Sequence, residues 1–125
     1  MNSYSHYAFG TVGEWLYRYL AGIDEAAGSV GFGTIEIRPR WAAPLDSVRV
    51  VYRSPRGTIV SAWRRLASGS VQLTVTIPPN TTGRVFVRSE YPEAVVARGA
   101  RLESAGEGRA IFAIEAGTYR FVVPQ

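Results

Sequence analysis

The chain contains no cysteine and no lysine, one histidine, one methionine, and no uninterrupted apolar run of the roughly 18 residues needed to span a bilayer. Without cysteine there are no disulfides, no thiolate nucleophile and no sulfur-held metal. A single histidine, His6, leaves too few nitrogen ligands for an ordinary all-protein zinc site, and nothing in the sequence calls for a cofactor. No basic segment leads into an apolar stretch with a cleavage site, so no secretory signal is read and a cytoplasmic location is the default expectation. Lysine being absent, all 14 basic residues are arginine against 10 acidic ones, giving a net charge of +4. The arginines are spread singly (Arg38, Arg49, Arg53, Arg84, Arg98, Arg109, Arg120), with only Arg64 and Arg65 adjacent. That spacing reads as a solvated surface rather than a phosphate track, and neither nucleic acid nor membrane is expected as a partner.

What is present begins with an N-terminus dense in aromatics. Val12, Trp15, Leu16, Tyr19, Leu20 and Ile23 recur at the 3.6-residue period and predict one apolar stripe of an α-helix. Burying six such side chains is worth about 10 kcal/mol, at about 1.5–3 kcal/mol each, so the helix needs a surface to lie on. Thr11 and Glu14 fit a capping box, and Gly22 followed by Ile23 fits a Schellman stop. The glycine-rich stretch from Ala26 to Gly33 then reads as a boundary between two structural regions.

From Thr34 the period changes to two. Thr34–Arg38 reads as a strand, as does Ser47–Ser54, where Val48, Val50 and Tyr52 alternate with Arg49, Val51 and Arg53. Ser54-Pro55-Arg56-Gly57 is a turn into a return strand through Ile59, Ser61 and Trp63. Val71, Leu73, Val75 and Ile77 share one face of the next strand, which Pro78-Pro79-Asn80 is expected to end. Shorter strands are predicted at Arg84–Arg88, Ala94–Ala97, Ala110–Glu115 and Thr118–Val123, with turns at Glu107-Gly108 and Ala116-Gly117. The expectation is a mainly β protein. One amphipathic helix, within a helical piece of residues 1–27, precedes an antiparallel β-sandwich of seven or eight strands over residues 28–125.

Several words of this sequence resemble those of bacterial α-L-rhamnosidases. Asn2-Ser3-Tyr4-Ser5-His6-Tyr7-Ala8-Phe9-Gly10, continuing through Val12-Gly13-Glu14-Trp15-Leu16-Tyr17, is similar to the segment that closes the family's catalytic (α/α)6 barrel, with Ser5 where the family often has Asn. Ile35-Glu36-Ile37-Arg38-Pro39 is similar to its first strand after the barrel, and Ser54-Pro55-Arg56-Gly57 with Ser61-Ala62-Trp63 to its next hairpin. Val75-Thr76-Ile77-Pro78-Pro79-Asn80-Thr81-Thr82 is similar to a further strand and loop. The resemblance implies the C-terminal accessory sandwich of a glycoside hydrolase, joined to the last barrel helix, whose parent reaction is inverting hydrolysis of terminal α-L-rhamnosides. It also implies that the segment before Met1, carrying the acid and base carboxylates, lies outside this sequence. The partners implied are that barrel, or a second copy meeting the helix stripe, and a rhamnoside carbohydrate.

No catalytic residue is expected within the chain. Inverting hydrolysis needs two carboxyls about 6.5–9.5 Å apart across a sugar. Glu14 has Arg18 one turn away as a partner, Asp24 and Glu25 follow a helix end, and Glu90, Glu93, Glu103 and Glu107 fall in loops where no spacing gathers them. By the resemblance, His6 would line a sugar subsite only with a complete barrel. Trp63 is read as core, whereas Trp41 is divided between stacking on a sugar and covering the seam between helix and sandwich. The sequon Asn80-Thr81-Thr82 is read as a turn. Two other functions compete with the accessory-domain reading: a free-standing carbohydrate-binding module built on Trp41, and a basic nucleic-acid-binding β domain.

Overall fold

The computed structural model describes residues 19–42 and 44–125; His6, the capping box and half of the expected helix stripe (Val12, Trp15 and Leu16) lie outside them. Eight strands follow a last helical turn at residues 19–21: β1 (Ile23–Glu25), β2 (Thr34–Ile37), β3 (Ser47–Ser54), β4 (Gly57–Arg65), β5 (Val71–Arg88), β6 (Val96–Ala97), β7 (Arg101–Gly106) and β8 (Arg109–Val123). A single 3₁₀ turn, Pro92–Ala94, precedes β6. All pairings are antiparallel except that of β2 with β5.

The architecture follows from two long strands. β5 pairs with β4 over its first half and with β2 over its second, and β8 accompanies it throughout. One layer is therefore β3, β4, the first half of β5, the second half of β8, and β6. The other is β1, β2, the second half of β5, the first half of β8, and β7. The rings of Phe112 and Phe121, nine residues apart on β8, lie 5.3 Å from each other. A straight strand rising about 3.3 Å per residue would hold them about 30 Å apart, so β8 folds over and closes the sandwich on itself.

The corner sits where the prolines are. Pairing between β5 and β8 is regular up to Ile77–Gly117 and resumes at Thr82–Glu115, leaving Pro78 to Thr81 outside the ladder. Pro78 and Pro79, having no N–H to donate, occupy the positions where no donor is required. Asn80 takes a positive φ of 61° at the bend. The prolines thus interrupt the ladder, as expected, without ending the strand. Arg84–Arg88 belongs to β5 itself, and the two strands expected around Ala116-Gly117 are one bent strand. Gly57 opens β4 beneath this corner; a Cβ there would come within 2.7 Å of Pro78 Cβ, at a φ of 134° that side chains avoid.

Alternation fixes which side chains meet in the middle. Val71, Leu73, Val75, Val85 and Val87 of β5, Ile59 and Trp63 of β4, and Phe121 and Val123 of β8 are all essentially inaccessible. Ile35 and Ile37 of β2 join them, and Ile23 of β1 extends the same core toward the helix end. β1 occupies residues expected in the helical piece 1–27, so the sheet begins earlier than residue 28. The glycine-rich stretch is the connection between β1 and β2, with Ala26 N–H donating to Thr34 O at 2.9 Å, rather than a boundary between regions.

Candidate functional site

The helix end is bound into the sandwich by backbone. Ala21 is fully buried, and its carbonyl accepts a 2.9 Å hydrogen bond from Ser61 Oγ, itself fully buried on β4. Gly22, at φ +74°, turns the chain out of the helix, its N–H donating to Tyr19 O at 3.2 Å in the manner of a Schellman stop. Arg38 N–H donates to Gly22 O at 2.8 Å and Arg40 N–H to Leu20 O at 3.0 Å, carrying the β1–β2 ladder back along the helix end. A Cβ on residue 22 would fall 2.0 Å from the Arg38 carbonyl carbon. No residue but glycine fits there.

Side chains from the segment after β2 lock this seam. The Arg40 guanidinium lies 4.0 Å over the Tyr19 ring and donates to Tyr19 O and Arg38 O at 3.0 and 3.1 Å. Trp41 meets Trp63 edge to face with centroids 5.4 Å apart, and its Nε1–H donates to Arg88 O at 2.9 Å. Arg65 ties the same segment to β4 through Trp41 O at 2.7 Å and Leu45 O at 3.0 Å. Half-buried Trp41 therefore stands in the seam with its indole N–H already engaged, while Trp63 is core, as expected.

The carboxylates are distributed as follows. Glu25 accepts the backbone N–H of Phe32. Glu36 pairs with Arg38 at 3.3 Å. Glu103 pairs with Arg84 at 3.0 Å and Arg101 at 3.8 Å. The sequence spacing did not bring Glu107 to Glu90 and Glu93, but the topology does. Ser89 N–H donates to Gly108 O at 3.0 Å, and all three glutamates line one open groove beside exposed Tyr91. The three are solvent-exposed, and among the described residues no group of His, Cys, Asp and Glu is spaced to hold a metal ion. Among these residues no helix is long and apolar enough to cross a membrane.

A second convergence was not visible in the sequence. Arg38 and Arg40 after β2, Arg88 at the end of β5, and Arg109 at the start of β8 surround one open cavity of about 660 Å³ floored by Phe86. Singly spaced arginines become neighbours because three strand ends meet there. The only signal available was their position at or near the ends of predicted strands.

A family model for the C-terminal domain of bacterial α-L-rhamnosidases matches residues 22–101, well over half the chain and beginning at the glycine that ends the helix. The chain belongs to this family.

Curated α-L-rhamnosidases agree with the assignment. That of Streptomyces avermitilis is 38% identical over 123 residues, covering 98% of this chain and 12% of the relative. That of Formosa agariphila is 36% identical over 95 residues, covering 76% of this chain and 10% of the relative. The crystal structure of the S. avermitilis α-L-rhamnosidase complexed with L-rhamnose superposes with a TM-score of 0.81 at 36% identity, over 98% of this chain and 12% of that one. The α-L-rhamnosidase from Dictyoglumus thermophilum shares the fold, with a TM-score of 0.74 at 22% identity over all of this chain and 15% of that one. The chain thus spans about an eighth of the length of the α-L-rhamnosidases it matches, and it is an accessory domain of that enzyme family.

Proposed function

We propose that the domain works structurally: it presents a rigid β-sandwich on which the last helix of an (α/α)6 catalytic barrel is seated, and it does not cleave rhamnosides alone. The observation that carries this reading is the seam. The helix end is joined to the sandwich through a buried hydroxyl, two backbone hydrogen bonds and a glycine that tolerates no substitute. Such rigid attachment suits a part that orients the segment preceding it. Trp41 supports the same reading, because its N–H is engaged by Arg88 O and its ring packs against Trp63 within the protein.

On this reading the catalytic carboxyls of an inverting hydrolase belong to the covalently linked barrel. His6 contributes to a rhamnose subsite only when that barrel is complete, and the helical piece is the part ahead of β1. Incubating the purified 125-residue chain with an aryl α-L-rhamnoside, beside the S. avermitilis enzyme as positive control, is expected to give no turnover. Turnover that survives re-purification would refute it. Titrating rhamnose while following tryptophan fluorescence tests the rival reading as a sugar-binding module, which requires a saturable change abolished in Trp41→Ala.

A further inference from the structure

We propose that the arginine-lined cavity at the open end of the β2–β5–β8 layer is a binding site for an oxyanion carried on a saccharide, either a uronate carboxylate or a sulfate ester. The inference goes beyond the structural role proposed above, although Arg38 and Arg40 belong to both the seam and the cavity. An accessory domain can hold an acidic glycan whether or not it also seats a helix.

The first observation is a conflict within the sheet. Arg88 and Arg109 are directly opposed across the β5–β8 ladder. Val87 and Ala110 beside them point into the core, so both arginines lie on the outer face. Like charges placed opposite one another destabilise a strand pair. Neither arginine has a carboxylate partner among the described residues, whereas Arg38, Arg84 and Arg101 each have one. A chain of net charge +4 thus gathers four guanidiniums around one cavity whose lining holds one carboxylate, Glu107, and of the four only Arg38 is paired among the described residues, with Glu36.

The second observation is preorganisation. The Arg38 guanidinium lies 3.7 Å over the Phe86 ring, and that of Arg109 lies 5.8 Å from the same ring. Stacking fixes the plane of a guanidinium while leaving N–H groups at its edge to donate, which is how arginine recognises planar or tetrahedral oxyanions. Arg40 is held by two carbonyls and adds positive potential without needing to move. An anion bound here meets two guanidiniums already in place, those of Arg38 and Arg40, and draws the exposed Arg88 and Arg109 to it.

The third observation concerns the kind of ligand. L-Rhamnose is neutral and gives Arg88 and Arg109, which have no carboxylate partner among the described residues, nothing to neutralise. The charge forms one compact cavity rather than a stripe, and Phe86 is covered by Arg38, so no open ring is offered for stacking a base. A short acidic glycan, placing one or two anionic groups in a cavity of about 660 Å³, fits both the charge and the size.

The test is calorimetric titration of the full chain with hexagalacturonate, with a sulfated oligosaccharide of equal length, and with neutral maltohexaose as control. One of the two acidic glycans is expected to bind, the identity of the binder deciding between carboxylate and sulfate, and the neutral glycan is not. The double variant Arg88→Gln/Arg109→Gln should weaken binding at least about tenfold. Arg49→Gln/Arg53→Gln, which removes the same charge from exposed positions on β3, should leave it within about twofold. Thermal melting should show the first variant folded and no less stable than the parent, since it relieves the opposed pair. Absence of binding by either acidic glycan, equal loss in both variants, equal competition by short duplex DNA, or a lowered melting temperature would each overturn the proposal.

Discussion

Replacing Gly22 by alanine should be far more damaging than the loss of a glycine usually is. Placing alanine in the left-handed region costs about 1–2 kcal/mol in itself. The added Cβ would also stand 2.0 and 2.1 Å from the carbonyl carbon and oxygen of Arg38. Relief requires residue 22 to draw away from β2, and that breaks Arg38 N–H to Gly22 O and Arg40 N–H to Leu20 O, and strains Ser61 Oγ to Ala21 O. At about 1 kcal/mol for each hydrogen bond, the total reaches about 4–5 kcal/mol. With a shift of about 3–5 °C per kcal/mol for a domain of this size, the melting temperature should fall by about 15–20 °C. Gly69→Ala is the matched control: φ is +93°, yet nothing lies within 4 Å of its Cβ position, so only the conformational cost remains. Melting of both variants followed by tryptophan fluorescence and far-UV circular dichroism makes the comparison. If Gly22→Ala melts no lower than Gly69→Ala, the close approach of helix end and β2 is not as described.

Ser61→Ala should cost about 1–3 kcal/mol in urea denaturation, because it leaves the buried Ala21 carbonyl without its donor. Trp41→Phe should cost about 1 kcal/mol and Trp41→Ala about 2–3 kcal/mol, the difference measuring the ring packing against Trp63 as distinct from the bond to Arg88. Glu103→Gln should change stability by less than about 1 kcal/mol, and by less still in high salt, since Arg84 and Arg101 pair with it at the surface.

Much of the sandwich could be read before any coordinates. β3 spans Ser47–Ser54 as its alternation implied, and its turn is closed by Ser54, whose Oγ donates to Gly57 O at 2.7 Å. Gly22 ends the helix as its neighbour Ile23 suggested, with Ile23 almost wholly buried. The departures share a physical origin, since each depends on pairing between residues distant in sequence. β1 is three residues long and owes its extended form to β2. β7 carries mostly exposed residues, so no hydrophobic period marks it; its ladder with β8 does. The prolines at 78 and 79 announced a break in hydrogen bonding, but whether a break ends a strand or turns a corner depends on what lies beyond. The parallel pairing of β2 with β5 is likewise a matter of topology. The seam was legible only in part: Trp41 was a candidate to cover it, whereas Ser61 looked like an ordinary alternating position. The convergence of Arg38, Arg40, Arg88 and Arg109 could not be read locally at all.

The shared membership of β5 and β8 has a mechanical consequence. A sandwich made of two separate sheets can shear along their interface or lose one leaf to fraying. Here either leaf can detach only by tearing the backbone ladder that also belongs to the other, so partial opening confers little freedom for the bonds it breaks. Amide protons at Leu73 and Val85, on opposite sides of the corner, should therefore exchange through the same global event. A force arriving at the helix end would be transmitted through the whole body instead of being absorbed by a soft layer.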